Sequence, residues 1–274
     1  MSKENFQKIY NEINNRPKLI VLDNDECQGQ FSVLGDLHTL FGVDSDLKYP
    51  KNKVSMDKFK DIIVEKYIKK GGARPHLKSF LKHLHNLKEK KKIEGVYMYT
   101  AASNDNDWVV FLKDTLENFS NCPNLYDKVY SRQDCNKQYK KDLMKLAHKG
   151  GAKKNGLPNI KKEYLTSNMI MFDDNPHRIN SRKGNVFGVK AYNTLPSWTN
   201  IKSIVNDCGG EEYLNSLYNL NKKTFIDYGV QNGNILNWLK RNYNDYKEEY
   251  NEKIAGKDKE LIVAKHIIDA QIKL

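Results

Sequence analysis

The stretch "PKLIVLDNDECQGQF", residues 17 to 31, drives a short apolar segment straight into two aspartates separated by one residue. The segment at 18 to 22, KLIVL, reads as a buried strand, since it is brief and β-favouring. Asp23 and Asp25 then emerge on the loop at its carboxyl end. Two like charges held there repel, a situation tolerated when a cation lies between them or when one carboxyl keeps its proton.

Further along, "NMIMFDDNPHRI" repeats the arrangement, with a strand-like run, then Asp173 and Asp174, then a proline that turns the chain. Four carboxylates at the ends of two strands describe a hard, oxygen-rich site. Magnesium is its natural occupant, because it accepts carboxylates, a backbone carbonyl, waters and phosphate oxygens in an octahedron. A third strand at 95 to 99 (GVYMY) ends at Thr100, in "YTAASNDNDW". A helix starting there offers a hydroxyl and free backbone N–H groups, including that of Ala101, as a cradle for phosphate oxygens. In "QYKKDLMKL", Lys140 and Lys141 stand at an expected helix start, where either can neutralise phosphate charge.

Strand-like runs also occur at 126 to 131 and 185 to 190, and helical periodicities lie between the strands. These helices are marked by Leu77, Phe80, Leu81, Leu84 and Leu87, by Trp108, Phe111, Leu112, Leu116 and Phe119, and by Leu143, Leu146 and Ala147. The alternation predicts an α/β fold, a Rossmann-like parallel sheet flanked by helices, with ligands bound beyond the carboxyl ends of the strands. Residues 32 to 70 fall outside the alternation and read as a small helical insertion, a cap or lid. After about residue 197 the pattern becomes helical. The stripe Ile235, Trp238, Leu239, Tyr243, Tyr246 and Tyr250 predicts a helix packed on the main domain. The expected division is therefore 1–197 for the α/β domain and 198–274 for a helical C-terminal extension.

The 274 residues suffice for one good core plus an appendage, and 39% hydrophobic with 11% aromatic content is that of a folded protein. The longest unbroken apolar run, Trp108 to Leu112, is too short for a membrane span. The start "MSKENFQKIY" has no secretory pattern, so a cytoplasmic or nuclear location is expected, without a membrane partner. Four widely spaced cysteines argue against a disulfide framework and a zinc site. Forty-six Lys and Arg against 34 Asp and Glu give +12, which suits a phosphorylated or polyanionic partner, nucleic acid included. The lysines are scattered, though, and the densest run, "LKEKKKIEG", ends a helix, where cations complement the dipole.

The motifs resemble those of the haloacid dehalogenase (HAD) superfamily: Asp-x-Asp after the first strand, Thr or Ser after the second, Lys at a helix start, and paired acids after the fourth. Within it the sequence is similar to the RNA polymerase II C-terminal-domain phosphatases, also called the NLI-interacting-factor-like group. "DNDE" matches its "DLDE", "ARPHLKSFL" its "RPxxxxFL" and "YTAASNDNDWV" its "YTASxxxYAxxV". "SRQDCNKQYKKDL" follows its Arg, Cys and Tyr-x-Lys-Asp-Leu run, and "FDDNP" its paired acids. The likeness runs in order from about residue 17 to 195.

The resemblance implies a magnesium-dependent phosphatase of phosphoserine or phosphothreonine proteins. Asp23 is the implied nucleophile, forming an aspartyl-phosphate, and Asp25 the implied acid and base. The metal is held by Asp23, the Asp25 carbonyl, and Asp173 or Asp174 or both. Thr100, Ala101 and Lys141 hold phosphoryl oxygens, Lys141 being preferred because it directly precedes Asp142-Leu143, and Arg74 shapes the substrate side. Two departures stand out. Asn24 replaces an apolar residue, and "CQGQ" at 27 to 30 replaces the usual Thr-Leu-Val, so Cys27 stands where a threonine supports the acid/base loop. A thiol is the weaker hydrogen-bonding group, which predicts a less well oriented Asp25. The alternatives are a phosphatase of nucleotides or nucleic-acid ends, and a catalytically weak phosphopeptide-binding module.

Overall fold

The computed structural model describes residues 18–104, 107–138, 140–143, 146, 168–179, 185–246, 248–249 and 256–273. Ala147, Tyr250 and the first 17 residues of the sequence lie outside that set. Five strands, β1 (Lys18–Leu22), β2 (Ile93–Tyr99), β3 (Lys128–Tyr130), β4 (Met169–Asp173) and β5 (Asn185–Gly188), form one sheet in the order β3-β2-β1-β4-β5. Every pairing in it is parallel. The expected Rossmann-like fold is present. The chain steps outward from β1 through β2 to β3, then returns to the other side of β1 as β4, and this reversal opens a crevice at the carboxyl ends of the strands.

Both faces of the sheet are covered, which is why its strands read as continuous apolar runs. Side chains alternate along β1: Ile20 and Leu22 enter one hydrophobic cluster, whereas Leu19 and Val21 enter another with Tyr97, Tyr99, Met169 and Met171. The first and larger cluster is built by α1 (Ser32–Phe41), α2 (Met56–Lys66), α3 (Leu77–Glu89) and α4 (Trp108–Ser120). In α3 the buried residues are Leu77, Phe80, Leu81 and Leu84, one face of a 3.6-residue repeat, as predicted.

The segment from 32 to 70 is not a lid over the strand ends. Phe59 of α2 stacks on Phe111 of α4 at 5.4 Å between ring centroids, and Phe41 of α1 stacks on Tyr213 at 5.3 Å. These helices form a packed layer between α4 and the C-terminal helices α5 (Trp198–Asp207), α6 (Gly210–Leu220), α7 (Lys222–Asp227) and α8 (Ile235–Asp245), while α9 (Glu260–Lys273) packs on α3. The core crosses residue 197 without a break, since Ile201, Val205, Leu239 and Ile268 share a cluster with Ile20. The aromatic stripe of α8 is buried through Trp238 and Tyr243, with Tyr246 half-buried. No helix among the described residues is long and apolar enough to cross a membrane.

Candidate active site

Strands β1 and β4 are neighbours in register, Leu22 opposite Phe172, so the residues that follow them leave the sheet side by side. The Asp23 N–H donates to the Phe172 carbonyl at 3.0 Å, extending the ladder by one step. Asp173 is the last residue of β4 and is 1% exposed. Between the two carboxylates lies Lys141, its Nζ 2.6 Å from Asp23 Oδ1 and 2.6 Å from Asp173 Oδ2. Burial pulls the lysine's pKa down, but the two carboxylates outweigh it and hold the ammonium charged. Lys141 forms an isolated bridge with Ile179, which fixes its backbone just beyond β4.

Asp23, Asp173 and Asp174 offer carboxylate oxygens within 4.8 Å of one another, and Asp25 is not part of that group. Three carboxylates facing one ammonium leave an excess of two negative charges in a largely buried, all-oxygen set. That composition fits a hard divalent cation. Burial, together with Asp173 and Asp174, raises the Asp23 pKa and Lys141 opposes the shift; a bound cation reverses that balance. Asp25 is half-buried and is pushed up to about 7, first by desolvation and then by the charge of Asp23. A carboxyl poised near neutrality can both give and take a proton.

A cleft of 170 Å³ gathers Asp23, Asp25, Glu26, Thr100, Ala101, Ala102, Lys141, Asp173, Asp174, Asn175 and Arg178. It therefore brings together every expected catalytic and metal residue, and Ala101. Asn175 steadies the acids, donating from its backbone to Asp173 at 2.7 Å and from its side chain to Asp174. Arg178 and Glu26 were not anticipated. The arginine sits two residues past the proline in "DDNPHR", where a turn after paired acids returns a cation to the rim, a signal available in the sequence.

Two expectations are corrected by the geometry. No helix begins at Thr100: α4 starts at Trp108, and the Thr100 Oγ1 accepts from the Ala102 N–H at 3.0 Å. The turn after β2 thus spends one amide on its own hydroxyl and presents no helix N-terminus to the cleft. Arg74 does not line the cleft either. It is 2% exposed and donates to the Cys27 carbonyl at 2.9 Å and to that of Lys190, while its Nε pairs with Asp258 at 3.3 Å. Arg74 instead borders a separate groove of 790 Å³ with Lys69, Lys78, Lys82 and Phe119, which holds none of the acidic residues of the cleft. Lys140 is also absent from the cleft lining, in agreement with the preference for Lys141.

The departures in the first loop have structural reasons. Cys27 is 1% exposed and its thiol donates to the Phe172 carbonyl at 3.6 Å, so it ties the loop to β4. Desolvation drives the Cys27 pKa well up, which removes it as a nucleophile. Gly29 is required by a close approach: a Cβ there would lie 2.3 Å from the Gly72 carbonyl, where Gln30 donates to that same oxygen at 2.9 Å. Asn24 is buried, as an apolar residue there would be, and its amide oxygen accepts from Gln28 Nε2 at 3.0 Å.

Among solved structures, that of the fission yeast RNA polymerase II CTD phosphatase Fcp1 bound to beryllium fluoride is 17% identical with a TM-score of 0.40. It aligns with 97% of this chain, and this chain spans 65% of that one. No curated protein matches the sequence. The family model for NLI interacting factor-like phosphatases matches residues 18–206, from the first strand of the sheet into α5. The chain is a member of the NLI interacting factor-like phosphatase family.

Proposed function

We propose that this protein is a Mg2+-dependent phosphomonoesterase that uses Asp23 as a covalent nucleophile and acts on phosphoserine or phosphothreonine in proteins. The observation that carries the reading is the placement of Lys141 Nζ 2.6 Å from both Asp23 and Asp173. One cation fixes the nucleophile against the acids of the neighbouring strand, at the crevice where such sheets bind ligands.

In the first step a carboxylate oxygen of Asp23 forms a bond to phosphorus as the bond from phosphorus to the substrate oxygen breaks. Asp25 gives its proton to the departing alkoxide, releasing the alcohol. In the second step Asp25 takes a proton from water, the resulting hydroxide bonds to phosphorus, and the Asp23–phosphorus linkage breaks to release inorganic phosphate. Lys141 and the Thr100–Ala101 turn hold phosphoryl oxygens while this happens. Asp23, Asp173 and Asp174, with the Asp25 carbonyl, would hold a magnesium ion, which would supply positive charge to offset the repulsion between the two anions.

The cleft volume of 170 Å³ lies below the roughly 300 Å³ at which pockets begin to enclose a whole small ligand. It suits a phosphoryl group delivered from outside by a protein chain. We take residues 1–197 as the catalytic unit and 198–274 as a brace packed on its core. The test is phosphate release from an aryl phosphate, followed by phosphoserine peptides. Wild-type turnover needs Mg2+ and is lost in Asp23→Asn. Equal release by the two proteins, or release unaffected by chelation, overturns the reading.

A further inference from the structure

Asn24, Gln28 and Tyr126 form a closed set of hydrogen bonds directly behind the Asp23 main chain. Gln28 is fully buried, Asn24 is 1% exposed and Tyr126 is 4% exposed. Gln28 Nε2 donates to the Asp23 carbonyl at 2.9 Å and to Asn24 Oδ1 at 3.0 Å. Tyr126 Oη donates to Gln28 Oε1 at 2.6 Å. The orientation of the Gln28 amide is fixed by this pattern, since two acceptors face its nitrogen and a hydroxyl faces its oxygen. Tyr126 is held in turn through its backbone N–H, which donates to Glu117 Oε1 at 2.9 Å at the end of α4.

We propose that these three residues are a coupled positioning network for the nucleophile, in which Asn24 and Gln28 work only as a pair. The inference rests on the role of Asp23 proposed above. The Asp23 peptide is gripped on both sides, its N–H by Phe172 and its carbonyl by Gln28. Gln28 uses one amide hydrogen on the Asp23 carbonyl and the other on Asn24 Oδ1, so a polar residue at either position alone leaves a buried group without that partner. Together they satisfy each other. Removing one member strands the others, whereas replacing all three side chains with apolar groups of similar shape leaves only the Asp23 carbonyl without its partner. None of the three touches the phosphoryl group; they act through Asp23, and small displacements of a reacting atom carry large rate penalties.

The experiment compares kcat, KM and urea unfolding for wild type, Asn24→Leu, Gln28→Leu, Tyr126→Phe, Gln28→Glu, and the combined Asn24→Leu, Gln28→Leu, Tyr126→Phe protein. Gln28→Leu lowers kcat about 10- to 100-fold with KM within about threefold. Gln28→Glu keeps size and the acceptor for Tyr126 but sets a carboxylate against two oxygens, and falls at least as far. The combined variant recovers most of the unfolding midpoint lost in Gln28→Leu, while its kcat stays at least about tenfold below wild type because the Asp23 carbonyl has lost its donor. The proposal is overturned if Gln28→Leu keeps wild-type kcat, if the combined variant regains wild-type kcat, or if its unfolding midpoint is no better than that of Gln28→Leu. A wild type that releases no phosphate under any condition refutes the proposed activity instead. Unfolding then decides the network: midpoint losses that simply add across the three positions overturn it, and recovery in the combined variant supports it.

Discussion

Lys141 Nζ and Asp173 Oδ2 lie 2.6 Å apart with both residues buried, so the ammonium cannot leave its carboxylate without stranding a charge. Replacing Lys141 with Met removes the only ammonium found in contact with Asp23 and Asp173 among the described residues. Breaking one side of a buried ionic cluster costs about 3–5 kcal/mol. Lys141→Met is therefore expected to lose stability on that scale in urea unfolding and to lose about 10³-fold in phosphate release. Added Mg2+ returns part of the lost stability, because a cation again faces the acids.

Arg74 tests the distinction between a phosphate ligand and a structural tie. Its guanidinium joins the Cys27 and Lys190 carbonyls to Asp258. Arg74→Ala is expected to lower stability by about 2–4 kcal/mol while the KM for a small aryl phosphate stays within about threefold. A KM that rises more than tenfold with unchanged stability would place the arginine in the substrate path.

Asp36 supplies a pH signature outside the cleft. Desolvation raises its pKa to about 6, against a hydrogen bond from Asn242 at 3.1 Å that pulls it down. The folded chain thus binds this proton more tightly than the unfolded chain, whose pKa is near 3.9. The contribution to stability is present below about pH 4 and is lost as pH rises through about 6. Asp36→Asn, which carries no charge to bury, is expected to be about 1–2 kcal/mol more stable than wild type at pH 7.5, with the gap closing by pH 4. Thermal melts of both proteins across that range check the sign.

All four cysteines are buried and none forms a disulfide. Native protein treated with an aromatic disulfide reagent should therefore give almost no fast thiol reaction, and all four should react in denaturant. Iodoacetamide should leave phosphate release unchanged. Rapid loss of activity on alkylation would mean that Cys27 is reachable from the cleft.

Much of the site was legible because strand ends are legible. An apolar run followed by acids places the acids at the carboxyl edge of a parallel sheet, and this located Asp23, Asp25, Asp173 and Asp174. Lys141 followed from its place in a run of matching order. What the sequence hid were relations across long separations. Gln28 and Tyr126 are 98 positions apart, and nothing local says that a buried amide and a phenol will meet. An amphipathic pattern tells which face of a helix is buried but not against what, so α1 and α2 read as a lid when they are core. Arg74 was expected on the substrate side only from the family resemblance, yet its partners are backbone carbonyls and Asp258. The delayed start of α4 depended on turn geometry after Thr100, where a hydroxyl competes for the local amide.

The most direct test of the account is to trap the covalent intermediate. Protein turning over an aryl phosphate with Mg2+ is quenched in acid, reduced with borohydride and digested, and the peptide carrying residue 23 is weighed. Reduction of an acyl phosphate yields homoserine at that position, and the account predicts it only with substrate and metal present, and never in Asp23→Asn. Steady turnover with residue 23 unmodified, or with the mark on another carboxylate, would contradict it.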